Sequence, residues 1–248
     1  MKVWTYSIIS VILVSLVSLI GVFTLSLKKE RLHKITLFLV SFAVGGLFGD
    51  AFIHILPEAF EGLGRKLSTS LLIIFGLLLF FILEKFLRWR HCHAEPCDTH
   101  SHPVVAMNLF GDAVHNLLDG MIIGASFSAS TTIGITTTLA VILHEIPQEI
   151  GDFGILVNGG LSVRRALFFN FLCALTAVVG AIISLFVGSY VTGYIPTLLP
   201  VIAGGFLYIA GSDLIPELQH TVKISTSLWQ LFFIILGVGI MALLVFLG

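Results

Sequence analysis

The sequence predicts an all-α integral membrane protein of about eight transmembrane helices. Three observations carry that prediction. Of 248 residues, 57% are hydrophobic and 11% charged, with a mean hydropathy of +1.06. Apolar stretches of spanning length follow one another along the chain, and lysine and arginine gather on alternate connections. A water-soluble domain of this size would have almost nothing polar to cover its core, so the lipid bilayer is the expected solvent.

The first stretch, about 3–27, is longer than the apolar core of a signal peptide and lacks a small-residue cleavage site, so it reads as a helix. The second, about 35–60, carries DAFIHILPE, where Asp50, His54 and Glu58 recur every four residues around a proline and could line an entrance or a shared gate. The third, about 68–87, is apolar until Glu84 and Lys85, which belong at the interface. The fourth and fifth, about 104–128 and 132–159, are the polar ones. The sixth, about 163–190, is apolar, and the seventh, about 196–219, ends in SDLIPE. There Asp213 and Glu217 flank Pro216 and His220 follows, which suits an exit route or helix-end hydrogen bonding. The eighth runs from about 227 to 247.

With the N-terminus outside, one set of connections holds Lys28, Lys29, Arg31, Lys34, Arg88, Arg90, Arg164, Arg165 and Lys223, and the other only Lys2, Arg65 and Lys66. The positive-inside rule makes the first set cytoplasmic and both termini external. The connections are short, so residues 1–248 are expected to form a single membrane domain. Its one irregular polar segment, about 88–103, contains His91, Cys92, His93, Cys97, His100 and His102. That segment reads as a linker or as a place where soft ligands hold a metal at the inner mouth, and its spacing matches no zinc finger. Three cysteines, two of them on the cytoplasmic side, imply no disulfide framework. The pairs Gly45-Gly46, Gly159-Gly160 and Gly204-Gly205 fit close helix packing or a sliding surface.

The chemistry concentrates between 104 and 160, where Asp112, Asp119, Glu145, Glu149 and Asp152 occur with no lysine or arginine. An ionised carboxylate inside a membrane costs at least about 2.5–3.5 kcal/mol unless a partner, a proton or a metal compensates it. In HNLLDG, His115 and Asp119 lie one helical turn apart and share a face, with Asn116 beside them. In HEIPQEIGD, His144/Gln148 and Glu145/Glu149 repeat the offset on the fifth helix. Pro147 removes the hydrogen-bond partner of the Leu143 carbonyl, so a kink is expected there. Imidazole nitrogen with carboxylate oxygen suits zinc and its first-row neighbours, iron(II) and manganese(II) among them, and cadmium is a further candidate. Asp112 and Asp152 receive no role.

HNLLDGMIIG and HEIPQEIGDF resemble the signature fourth and fifth helices of the ZIP (Zrt/Irt-like protein) family of metal transporters, most closely the subfamily with HExPHExGD in its fifth helix. The resemblance covers essentially the whole chain, DAFIHILPE and GGFLYIAGSDLIPE included. It implies a ZIP-like bundle, no enzymatic activity and zinc as transported substrate moving toward the cytoplasm. It also implies a homodimer and an elevator-like or rocking motion. It places the primary metal site at His115, Asp119, His144 and Gln148, and Asn116 and Glu145 at an adjacent second site with Asp119 bridging. This sequence departs from the subfamily at Gln148, where histidine is usual, and lacks a sixth-helix glutamate found in some members, since NFLCALTAVVG contains no acid.

Two other functions are weighed against transport of a metal. A membrane zinc hydrolase would need histidine at both ends of H-E-x-x-H, but the fifth position here is Gln148. A proton-coupled carrier of another solute would use the acids as a relay. No nucleic-acid partner is expected, and a prokaryotic cytoplasmic membrane is the expected location.

Overall fold

The computed structural model describes residues 2–24, 29–91, 102–219 and 223–247, and these form eight helical rods with no strand among them. Helix α1 is Lys2–Val17, extended by a 3-10 turn Ser18–Ile20 and by Gly21–Thr24. Helix α2 comprises Lys29–Gly49, a π-helical turn Asp50–Ile55 and Leu56–Leu63. Helices α3, α4 and α5 are Leu67–His91, His102–Ala129 and Thr131–Asn158. Helix α6 joins Val163–Ala174 to Thr176–Tyr190. Helix α7 comprises Tyr194–Tyr208, a π-helical turn Ile209–Leu214 and Ile215–Gln219, and α8 is Ile224–Leu244 with a terminal 3-10 turn Val245–Leu247. Each rod matches one expected stretch. Cys92, His93, Cys97, His100, His220 and Lys28 lie outside the described residues.

Five rods are long and apolar enough to cross a membrane: α1, α2, α6, α7 and α8. Helices α4 and α5 are just as long, but their acids, histidines and threonines reduce their apolarity. That polarity is turned inward, since Asp112, Asn116, Asp119, Thr136, Thr137, His144, Glu145 and Glu149 are all buried. Outward faces are apolar instead, with Leu71, Ile74, Phe75 and Ile82 of α3 and Leu228, Trp229, Phe232 and Ile235 of α8 exposed. A protein that buries its acids and exposes phenylalanine has lipid for a solvent.

Helices α1, α4, α5 and α6 pack on one another, α2 packs on α8 and α3 on α7, and α2 lies against α5 while α7 lies against α4. Backbone approach is closest in three pairs. A Cβ on Gly120 of α4 would collide with the Ala177 carbonyl of α6, and one on Gly180 of α6 with the Leu117 carbonyl of α4. Gly76 with Gly204 joins α3 to α7 in the same reciprocal way, and Gly45 with Gly237 joins α2 to α8. Where lipid removes the hydrophobic incentive to pack, such small-residue contacts hold helices by van der Waals attraction.

The departures from α-helical hydrogen bonding fall in α2 and α7. Around Pro147, α5 keeps its α-helical pattern, whereas α2 and α7 widen into π turns just ahead of Pro57 and Pro216. A proline ring clashes with the carbonyl four residues earlier, here Ile53 or Ser212, and both lie inside the widened turns. The Leu56 amide reaches back to the Ala51 carbonyl and Ile215 to Ala210, a five-residue step that absorbs the extra backbone.

Candidate metal site between α4 and α5

Residues one turn apart on α4 and neighbours on α5 converge between the two helices. His115, Asp119, His144 and Glu145 each offer one ligand atom, and the four atoms lie within 4.8 Å of one another. His144 Nε2 is 3.2 Å from Asp119 Oδ2 and 3.7 Å from Glu145 Oε1. His115 Nε2 is 3.7 Å from Asp119 Oδ2, 3.4 Å from Glu145 Oε1 and 3.3 Å from His144 Nε2. Metal–ligand bonds of 2.0–2.1 Å in a tetrahedron put ligand atoms about 3.3–3.4 Å apart. Five of the six edges here fall between 3.2 and 3.7 Å, so the group has the size of a tetrahedral zinc shell.

Hydrogen bonding favours the same interpretation. His144 Nδ1 lies 3.1 Å from the Ala140 carbonyl, which can only accept, so Nδ1 carries a proton and fixes the ring with Nε2 facing the carboxylates. Both oxygens of Asp119 and Oε1 of Glu145 are buried and lack a hydrogen-bond donor among the described residues. Asp119, His144 and Glu145 are almost wholly enclosed, whereas the His115 side chain is 21% exposed and marks the open side. From α7, the buried ring of Phe206 stands edge-on to His144 with centroids 6.4 Å apart and walls the group off.

The expected residues therefore separate into three groups. The four above come together, with Glu145 joining the histidines that the resemblance had paired with Gln148. Gln148 lies one turn further along α5 and is partly exposed. Asn116 and Glu149 are buried in a neighbouring polar group: Asn116 Nδ2 donates to Asp112 Oδ1 at 2.7 Å, and Asn170 Nδ2 donates to Glu149 Oε2. Asp50 and His54 are engaged elsewhere. Asp50 Oδ2 accepts from the Thr137 hydroxyl at 2.9 Å, and His54 Nε2 lies 2.9 Å from the Met241 carbonyl, which joins α2 to α5 and to α8. Asn170 and Phe206 carry no signal in the sequence because each is a single residue in an apolar run.

The family model for the ZIP zinc transporters matches residues 1–106 and 90–245. The chain belongs to the ZIP zinc transporter family. It is 32% identical to the zinc transporter zipt-7.1 of Caenorhabditis briggsae over 97% of its own length and 79% of that protein. It is 29% identical to the zinc transporter SLC39A7 of Rattus norvegicus over 97% of its length and 72% of the relative. It is 30% identical to the metal cation symporter ZIP8 of Homo sapiens over 90% of its length and 64% of the relative. This ZIP chain is thus a membrane transporter of divalent metal and not an enzyme, which sets the hydrolase reading aside.

Proposed function

We propose that this ZIP protein carries zinc toward the cytoplasm, binding it in transit between His115, Asp119, His144 and Glu145. The observation that carries the proposal is the set of two imidazole nitrogens and two carboxylate oxygens at tetrahedral spacing, with both oxygens of Asp119 and Oε1 of Glu145 lacking a hydrogen-bond donor among the described residues. Two carboxylates neutralise the ion, so it can rest inside the membrane without a net charge. Nitrogen donors in four-coordinate geometry favour zinc over manganese(II) or iron(II), which prefer more oxygen ligands, and cadmium is a natural competitor. Entry is from the side on which His115 is exposed. The distribution of basic residues puts both termini outside, and the chain acts as a homodimer in the bilayer. An inside-negative potential releases about 2.3 kcal/mol per charge per 100 mV and so assists uptake.

The test is zinc uptake by liposomes containing the purified chain. Saturable flux abolished in His144→Ala supports the proposal. Flux of normal affinity in a correctly folded His144→Ala variant overturns it.

A further inference from the structure

The lipid-facing surface is not uniform. On α3 and α8 it runs over residues 71–82 and 228–235, which contain no charged residue, and any acyl chain covers such a face equally well. On α2 it is hollowed into a groove of about 460 Å³ lined by Phe52, Leu56, Pro57, Phe60, Glu61 and Arg65. Phe52, Leu56 and Phe60 recur every four residues and so share one face of the helix. Leu56 is buried while Phe52 is 59% exposed, which makes that face concave. The two aromatic rings, Leu56 and Pro57 make the body of the groove apolar.

The mouth is charged instead. Helix α2 ends against Gly64, whose φ of +78° suits glycine and turns the chain. The Gly64 carbonyl accepts from the Lys66 amide at 2.9 Å and from the Thr69 hydroxyl at 2.8 Å, and this tied turn brings Arg65 to the groove beside Glu61. Neighbouring Glu58 and Lys66 do not line it. From Glu61 inward to Phe52 the helix covers about 13 Å at about 1.5 Å per residue. One leaflet is half of a hydrocarbon core about 30 Å thick, so the groove is nearly a leaflet deep, with an acid and a base at headgroup level.

We propose that this groove binds one phospholipid whose headgroup carries a primary ammonium, a phosphatidylethanolamine. The Arg65 guanidinium takes the phosphate, which its planar fork of donors matches, and the Glu61 carboxylate accepts from the ammonium. A choline headgroup offers Glu61 no N–H and a glycerol headgroup no positive charge, so both are held less well. An acyl chain lies along Leu56 between Phe60 and Phe52. Phe52 belongs to the π turn that also carries Asp50 and His54, which are bonded to Thr137 of α5 and to the Met241 carbonyl of α8. A lipid seated against Phe52 therefore braces the turn that joins α2 to a metal-bearing helix.

The test is native mass spectrometry of the full chain released from nanodiscs holding equal parts of phosphatidylethanolamine, phosphatidylcholine and phosphatidylglycerol. One phosphatidylethanolamine should stay bound under activation that strips the other two lipids. Glu61→Gln should reduce its advantage over phosphatidylcholine about tenfold, the loss of one charge-assisted hydrogen bond, and leave phosphatidylcholine retention unchanged. Arg65→Gln should weaken both lipids, since both carry the phosphate. An unchanged unfolding temperature shows that a variant is folded; where Glu61→Gln is not, Arg65→Gln decides, and undiminished retention there overturns the proposal. Equal retention of the three lipids by the wild type, a preference for phosphatidylglycerol, or a phosphatidylethanolamine preference that survives Glu61→Gln overturns it as well. So does disulfide cross-linking of Phe52→Cys between two copies in the bilayer, which would show a second chain covering the groove. No arm depends on metal transport, so failure of this site and failure of the transport proposal are distinct results.

Discussion

Two strips of the molecule look alike in sequence and differ in what their polar atoms do. DAFIHILPE on α2 and HEIPQEIGD on α5 each set acids and histidine at helical spacing around a proline. On α2, His54 Nε2 is spent on the Met241 carbonyl and Asp50 Oδ2 on Thr137, with Asp50 Oδ1 alone lacking a donor and no histidine nitrogen turned toward it, so these groups act as fasteners between helices. On α5, His144 uses one nitrogen to fix its ring and turns the other toward carboxylate oxygens that lack donors. An intramembrane polar group with a partner is a joint, and a converging set without partners is a binding site.

That contrast would break most clearly if the wrong strip controlled transport. His144→Ala or Asp119→Ala should reduce saturable zinc flux to background in liposomes, while His54→Phe should leave zinc affinity unchanged. Next in size is the comparison of Glu145 with Gln148. Glu145→Gln removes a charged ligand and should weaken zinc binding by at least about tenfold in calorimetry, by analogy with the effect of disturbing the supports of a metal ligand. Gln148→Ala should change it far less, and the reverse order would return Gln148 to the first ligand set.

On the α2 side the expected effects are on stability. Thr137→Val leaves Asp50 Oδ2 buried without its donor and should cost about 1–3 kcal/mol, read as a lower unfolding temperature with zinc affinity intact. His54→Phe removes one interhelical hydrogen bond and should cost about 0.6 kcal/mol, the smallest of these effects.

Much of this was legible in the sequence because the period of a helix and the thickness of a bilayer are fixed quantities. The eight apolar stretches match the eight rods, and the four-residue offset in HNLLDG correctly puts His115 and Asp119 on one face. The choice between Glu145 and Gln148 was not legible, since spacing shows which residues share a face but not how far α5 is rotated against α4. Both lie within reach of a metal next to His144, and only tertiary packing brings Glu145 Oε1 to 3.4 Å from His115 Nε2. The π turns escaped for a related reason. Pro57, Pro147 and Pro216 carry the same local signal, yet only the first and last are preceded by a widened turn. Asn170 could not be read at all, because its meaning depends on α6 bringing it to Glu149.

The most direct test of the central claim is X-ray absorption at the zinc edge on the full chain loaded with one equivalent of zinc. Four light ligands are expected at about 2.0–2.1 Å, two of them with the outer-shell scattering of imidazole, with loss of one imidazole in His115→Ala. A sulfur ligand at about 2.3 Å, or a shell of oxygen without imidazole, would contradict it.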